Sequence, residues 1–185
     1  MKNLLIAIML FSLITPIRLF AKEVSEIKQI QVNITLPNLQ MIRQDGKKIQ
    51  IADEINDGRV VVVSFVYTSC SAICPMISQT ISRLQSKLGA DNNKVHLVSI
   101  SLDPEHDTPK QLTAYAEKFH AGKSWQHYTG TEDASIALQK AMGVYRGDKM
   151  NHVPVTLLKS AKSDKWIRLD GFVTAEDLLN EIQGL

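Results

Sequence analysis

Several things are scarce in this chain, and each scarcity removes a class of protein. Aromatic residues make up only 6% of the 185 residues, so the core has to be mostly aliphatic. No segment repeats, and no Pro-, Gly- or Ser-rich stretch marks a linker. A single domain follows, long enough to bury a core without crosslinks. Neither sign of charge dominates: 21 Lys and Arg face 19 Asp and Glu, mixed in order and without a long basic run, which argues against a nucleic-acid partner. Cysteine is almost absent. The two that occur, Cys70 and Cys74, fall in one short segment, Thr68-Ser69-Cys70-Ser71-Ala72-Ile73-Cys74-Pro75.

The N-terminus differs from the rest. Met1-Lys2-Asn3 precedes an apolar run from Leu4 to Ile14, then Thr15-Pro16 and Leu19-Phe20-Ala21. A short basic start, an apolar core, a helix breaker and a small residue make the pattern of a signal peptide over residues 1–21. The run falls short of the ~20 apolar residues that span a bilayer, and Pro16 and Arg18 interrupt it. An uncleaved anchor is the alternative. Losing Lys2 and Arg18 leaves as many basic as acidic groups, so the basic balance belongs to the targeting segment. Export to the periplasm or another extracytoplasmic space exposes the thiols to oxidation, so acting as thiols requires a reductant. Membrane association follows only if residues 1–21 are retained, and nothing asks for more than a monomer.

Along residues 22–185 the pattern alternates strands with helices. Residues 39–52 read as a β-hairpin turning at Asp45-Gly46, with Met41, Ile49 and Ile51 apolar. Val60–Tyr67 is a valine-rich run that suits a strand covered on both faces. Residues 75–89 form a helix with Ile77, Ile81, Leu84 and Leu88 on one face and Pro75 in its first turn. Val95–Leu102 is a second buried strand. Thr108-Pro109-Lys110-Gln111 matches a capping box that opens a helix burying Leu112, Tyr115, Ala116 and Phe119. A helix over Asp133–Met142, strands at 153–159 and 166–169, and a final helix capped by Thr174 complete the chain. This order predicts an α/β fold with a largely parallel central sheet, mixed through its last strand pair and flanked by helices on both faces. Paired thiols after the first buried strand make it the thioredoxin-like plan.

A strand-to-helix junction lowers thiol pKa values and leaves the sulfurs accessible. Three residues separate Cys70 from Cys74. On one helical turn their Cβ atoms would lie about 5–6 Å apart, beyond the ~3.8 Å a disulfide prefers. A purely structural disulfide would close too short a loop to stabilise much. Dithiol–disulfide exchange and capture of a soft ion both remain open. A metal needs a third donor, and His152 is the best candidate. It ends the tight run Gly147-Asp148-Lys149-Met150-Asn151-His152 before a core strand, and in this topology that loop faces the cysteines. Two thiolates and an imidazole match Cu(I), and hold Cu(II) with an added weak ligand. Met150 and Met76 are soft neighbours, although methionine more often packs. Val153-Pro154 offers the other reading, because thioredoxin-like redox proteins often carry a cis proline at the start of the strand facing the cysteines. The remaining histidines read as structural or exposed, and Asp103 as a loop residue at the rim.

The segment Tyr67–Pro75 resembles the T-x-C-P-x-x-C-P signature of the Sco/SenC family of copper-binding assembly factors for cytochrome c oxidase. Ser101-Leu102-Asp103-Pro104-Glu105-His106-Asp107-Thr108-Pro109 is similar to that family's S-x-D-P-x-x-D-T-P loop. Trp125 with Thr129-Gly130, and Gly143-Val144-Tyr145, look like its later landmarks. Ser71 and Asn151 stand where the family usually has proline and aspartate. The resemblance covers roughly residues 34–182. It implies a thioredoxin-like fold and a copper ion held at Cys70, Cys74 and His152. It also implies delivery to the dinuclear copper site of a cytochrome c oxidase subunit; the need to keep exported thiols reduced adds a thioredoxin-like thiol reductant as second partner. The alternative is a thiol–disulfide oxidoreductase in which Cys70 and Cys74 are the catalytic pair.

Overall fold

A computed structural model describes residues 27–89 and 92–185; the expected signal segment, residues 1–21, lies outside them. Eight strands form one sheet: β1 (Lys28–Val32), β2 (Gln40–Arg43), β3 (Lys48–Gln50), β4 (Val60–Val66), β5 (Val95–Ser101), β6 (Trp125–Thr129), β7 (Val155–Lys159) and β8 (Trp166–Asp170). The order across the sheet is β1-β8-β7-β4-β5-β6-β2-β3. Helices α1 (Ile51–Ile55), α2 (Ile73–Leu88), α3 (Pro109–Lys118), α4 (Glu132–Ala141) and α5 (Ala175–Gln183) cover it, and a 3₁₀ turn spans Lys149–Asn151.

β4 and β5 are buried along their whole length, as their apolar runs require of strands covered on both faces. They pair in parallel, and so do β5 and β6. Every other pairing is antiparallel. The expectation of a largely parallel sheet is therefore corrected to a parallel centre extended by hairpins on both sides. Connections through α2 and α3 advance across the sheet in one direction, so right-handed crossovers put both on one face. Ser78 of α2 bonds Tyr115 of α3 there at 2.8 Å, and α5 packs on α2. The step from β6 back to β7, through α4, reverses direction and crosses to the far side of β4, where β7 runs antiparallel to it.

Local chemistry explains the boundaries. The β2–β3 hairpin turns through Gln44-Asp45-Gly46, with Gly46 at φ +84° supplying the left-handed residue of a three-residue loop. Ile51, expected in the hairpin's second strand, instead opens α1 and is fully buried. The capping box at Thr108 forms as expected, and a second one joins Thr174 to Asp177. Inside the sheet, Ser64 Oγ and Trp125 Nε1 both meet Ser99 Oγ at 2.9 Å, so these buried polar groups satisfy one another. Among the described residues no helix is long and apolar enough to cross a membrane.

Candidate thiol and metal site

The site lies where β4 ends. Its chain turns through Tyr67–Cys70, with the Cys70 N–H donating to the Tyr67 carbonyl at 3.1 Å, before α2 begins at Ile73. Cys70 thus precedes the helix and does not share a helical turn with Cys74, so the i,i+4 separation does not apply. Ala72 has no side chain to cap α2. The Cys70 sulfur takes that place, accepting the Cys74 backbone N–H at 3.5 Å.

This arrangement separates the two thiols chemically. Both are free. Cys74 is fully buried, and burial drives its pKa well above the ordinary thiol value. For Cys70 partial burial pushes up, but hydrogen bonds from the Cys74 backbone and thiol and from the Ala72 backbone outweigh it and leave the pKa lowered. Iodoacetamide at pH 7 is therefore expected to label Cys70 first. A pKa difference of one between two thiols changes their relative thiolate content about tenfold, so the rates should differ by more than about tenfold. Peptide mass spectrometry over a time course reads this, and equal rates would refute the assignment.

Asp107 fixes the loop from below. Fully buried, it accepts from the Thr68 N–H at 3.1 Å, from Thr68 Oγ1 at 2.6 Å and from Ser101 Oγ at 2.6 Å. Asp103, expected at the rim, is buried and binds two residues: His106 Nδ1 at 2.9 Å and Lys149 Nζ. Lys149 sits in the 3₁₀ turn ahead of His152, so Asp103 ties the β5 loop to the histidine loop. Neither role is visible in the sequence, although both aspartates flank readable turn signals at Pro104 and Thr108-Pro109.

β7 follows His152 and is the antiparallel neighbour of β4, with Ser64 opposite Thr156. That pairing puts the histidine at the cysteine end of the sheet. Half-buried His152 keeps its Nε2 away from water without a hydrogen-bond partner. Burial pushes its pKa down to about 4; the nearby Phe65 carbonyl opposes this and Arg146 adds to it. The imidazole is neutral at physiological pH and has an unused nitrogen, as a metal ligand requires. The three expected donors do not converge. Among the described residues, the only donor atoms of three or more His, Cys, Asp or Glu within 4.8 Å of one another belong to Asp103, Glu105 and His106, and Asp103 is already held by Lys149.

A cleft of about 270 Å³ opens beside His152, with Asp103, Gln139, Tyr145, Arg146 and Lys149 among its walls. The Tyr67 hydroxyl donates to Met150 Sδ at 3.5 Å; its pKa is raised to about 12, by burial first and then by the Cys70 sulfur. Val153–Pro154 is trans, like every peptide bond among the described residues, so Pro154 does not supply the cis proline that the redox reading would use. His96 and His127 are buried, while His106 and His120 are exposed.

These features have counterparts elsewhere. The SCO1 protein homolog of Bacillus subtilis is 37% identical over 94 residues, covering 50% of this chain and 48% of that protein. A Stutzerimonas stutzeri protein named for copper binding is 32% identical over 110 residues, covering 59% and 52%. The chain spans about half the length of these relatives. The solved structure of BsSco, described as a member of the Sco family of cytochrome c oxidase assembly proteins with a disulfide switch, superposes with a TM-score of 0.68. It is 26% identical and covers 84% of this chain and 95% of its own. The fold is thioredoxin-like. The SCO1/SenC family profile matches residues 28–181, from the first strand into the last helix. Paired thiols after β4, a histidine just ahead of the neighbouring strand with its Nε2 unpartnered, and this match along the sheet agree, and the chain belongs to the SCO1/SenC family.

Proposed function

We propose that the protein is an extracytoplasmic copper-binding metallochaperone. Cys70, Cys74 and His152 take up one copper ion, as Cu(I) or Cu(II), and pass it by ligand exchange to the dinuclear copper centre of a cytochrome c oxidase subunit. The observation that carries this reading is His152 Nε2: buried, unpartnered and on an imidazole held neutral beside the strand that leads into the cysteine segment. A buried polar atom without a partner is costly, and a metal bond satisfies it. Closing the site requires the 147–152 loop to move toward the sulfurs. The copper-binding name of the Stutzerimonas relative and the assembly role of the Sco family support the same reading. Outside the cytoplasm the pair also needs a thiol reductant, which returns two electrons and two protons to any disulfide formed.

The test is copper titration of the fully reduced protein beside His152→Ala. One ion per chain is expected. The variant should bind at least about 100-fold more weakly, since disturbing even the surroundings of a ligand costs 10–100-fold. No copper binding, together with rapid reduction of a protein disulfide, would overturn the reading. It would favour the second one, a thiol–disulfide oxidoreductase in which Cys70 attacks and Cys74 resolves. The unequal thiols are the observation behind that alternative.

A further inference from the structure

Met150 is 71% exposed, the most exposed large apolar side chain among the described residues. At that exposure it adds little to a core, so packing does not account for it. Its sulfur is nevertheless held. The Tyr67 hydroxyl donates to Sδ, and Tyr67 is a buried residue three positions before Cys70 whose carbonyl binds the Cys70 N–H. One phenol therefore stands between the thioether and the cysteine loop.

The backbone carrying Met150 is fixed as well. Asp148 Oδ1 accepts the Met150 N–H at 2.8 Å, Lys149 is clamped to Asp103, and the His152 N–H returns to the Lys149 carbonyl at 3.1 Å. Met150 and His152 thus leave the same short turn, so any movement bringing His152 to the sulfurs carries Met150 with it. Met76, also exposed at 54%, has no such hydrogen bond to its sulfur.

We infer that Met150 is a further copper ligand, its thioether joining Cys70, Cys74 and His152 when the ion is Cu(I). The inference rests on the copper reading above. A thioether is soft and carries no proton, so it favours Cu(I) over Cu(II) and adds no pH dependence of its own. As a neutral, exposed and weak donor, it is also the ligand an incoming acceptor displaces first.

The experiment uses reduced full-length protein and Cu(I) itself, buffered by a chromophoric chelator, with Met150→Leu and Met76→Leu in parallel. Met150→Leu should bind Cu(I) about tenfold more weakly, the low end of what disturbing a metal site costs. Its Cu(II) affinity should fall less, and Met76→Leu should match the wild type. In selenomethionine-labelled protein, absorption at the selenium edge should reveal a copper neighbour that vanishes in Met150→Leu. Wild-type copper binding with unchanged Cu(I) affinity in Met150→Leu, and no copper neighbour to selenium, would overturn this inference and leave the three-ligand reading standing. Absence of copper binding in the wild type would overturn both.

Discussion

Replacing Asp107 with alanine is expected to destabilise the domain by about 3–5 kcal/mol, because three neutral donors lose one buried acceptor at once. The carboxylate is fully buried and accepts from the Thr68 amide, the Thr68 hydroxyl and the Ser101 hydroxyl. Each hydrogen bond to a charged group contributes roughly 1.5–3 kcal/mol, and the donors left behind cannot all reach water. Two of the three bonds hold the loop that leads to Cys70. Copper affinity should therefore fall as well, even though the Asp107 carboxylate bonds to Thr68 and Ser101 and to neither sulfur. Urea unfolding monitored by tryptophan fluorescence, with copper titration of the folded protein, measures both. Asp107→Asn keeps an acceptor and should lie between alanine and wild type. A loss below about 1 kcal/mol in the alanine variant would show that Asp107 is not the staple described.

Acid should weaken the fold through His127. Both ring nitrogens are buried without partners, and the ring lies against Trp125 and against Tyr115 of α3. Burial lowers its pKa from 6.5 to about 4. The unfolded chain takes up the proton as pH falls through 6.5, while the folded chain refuses it until about 4. Stability contributed by the neutral ring is therefore intact above 6.5 and lost progressively down to about 4. The loss totals about 3 kcal/mol, because each tenfold drop in proton affinity on folding is worth about 1.36 kcal/mol. His96, whose pKa is also lowered by burial, acts with the same sign. His127→Phe keeps the aromatic contact and sacrifices no hydrogen bond. Urea midpoints at pH 7.5 and 5 should differ less in this variant than in the wild type, and an identical pH dependence would refute the assignment.

The elements read correctly from sequence are those whose stability is local or whose burial is uniform. β4 and β5 are unbroken apolar runs, and α3 and α5 announce themselves by their caps. β6 is not legible as a strand, because Gln126 and His127 interrupt its apolar pattern and the pairing with β5 decides its conformation. β1 is mostly exposed at an edge, so the alternation that marks a half-buried strand is faint. α1 has only five residues and owes its helix to burial of Ile51 and Ile55. At the site, Cys70, Cys74 and His152 stand out by residue type. Their supports do not, since Asp107 meets Thr68 across 39 positions and Lys149 meets Asp103 across 46. Long-range polar contacts between ordinary residues leave no periodic trace.

The direction of β1 bears on how the domain is presented to its surroundings. Lys28 pairs with Asp170, and the next residue, Gly171, donates its N–H to the Pro154 carbonyl just beyond His152. The polypeptide that precedes Lys28 therefore joins the domain at the end of the sheet that bears the cysteines. Whatever precedes Lys28 meets the domain beside the thiol loop, and a bulky group attached there would crowd the approach to Cys70.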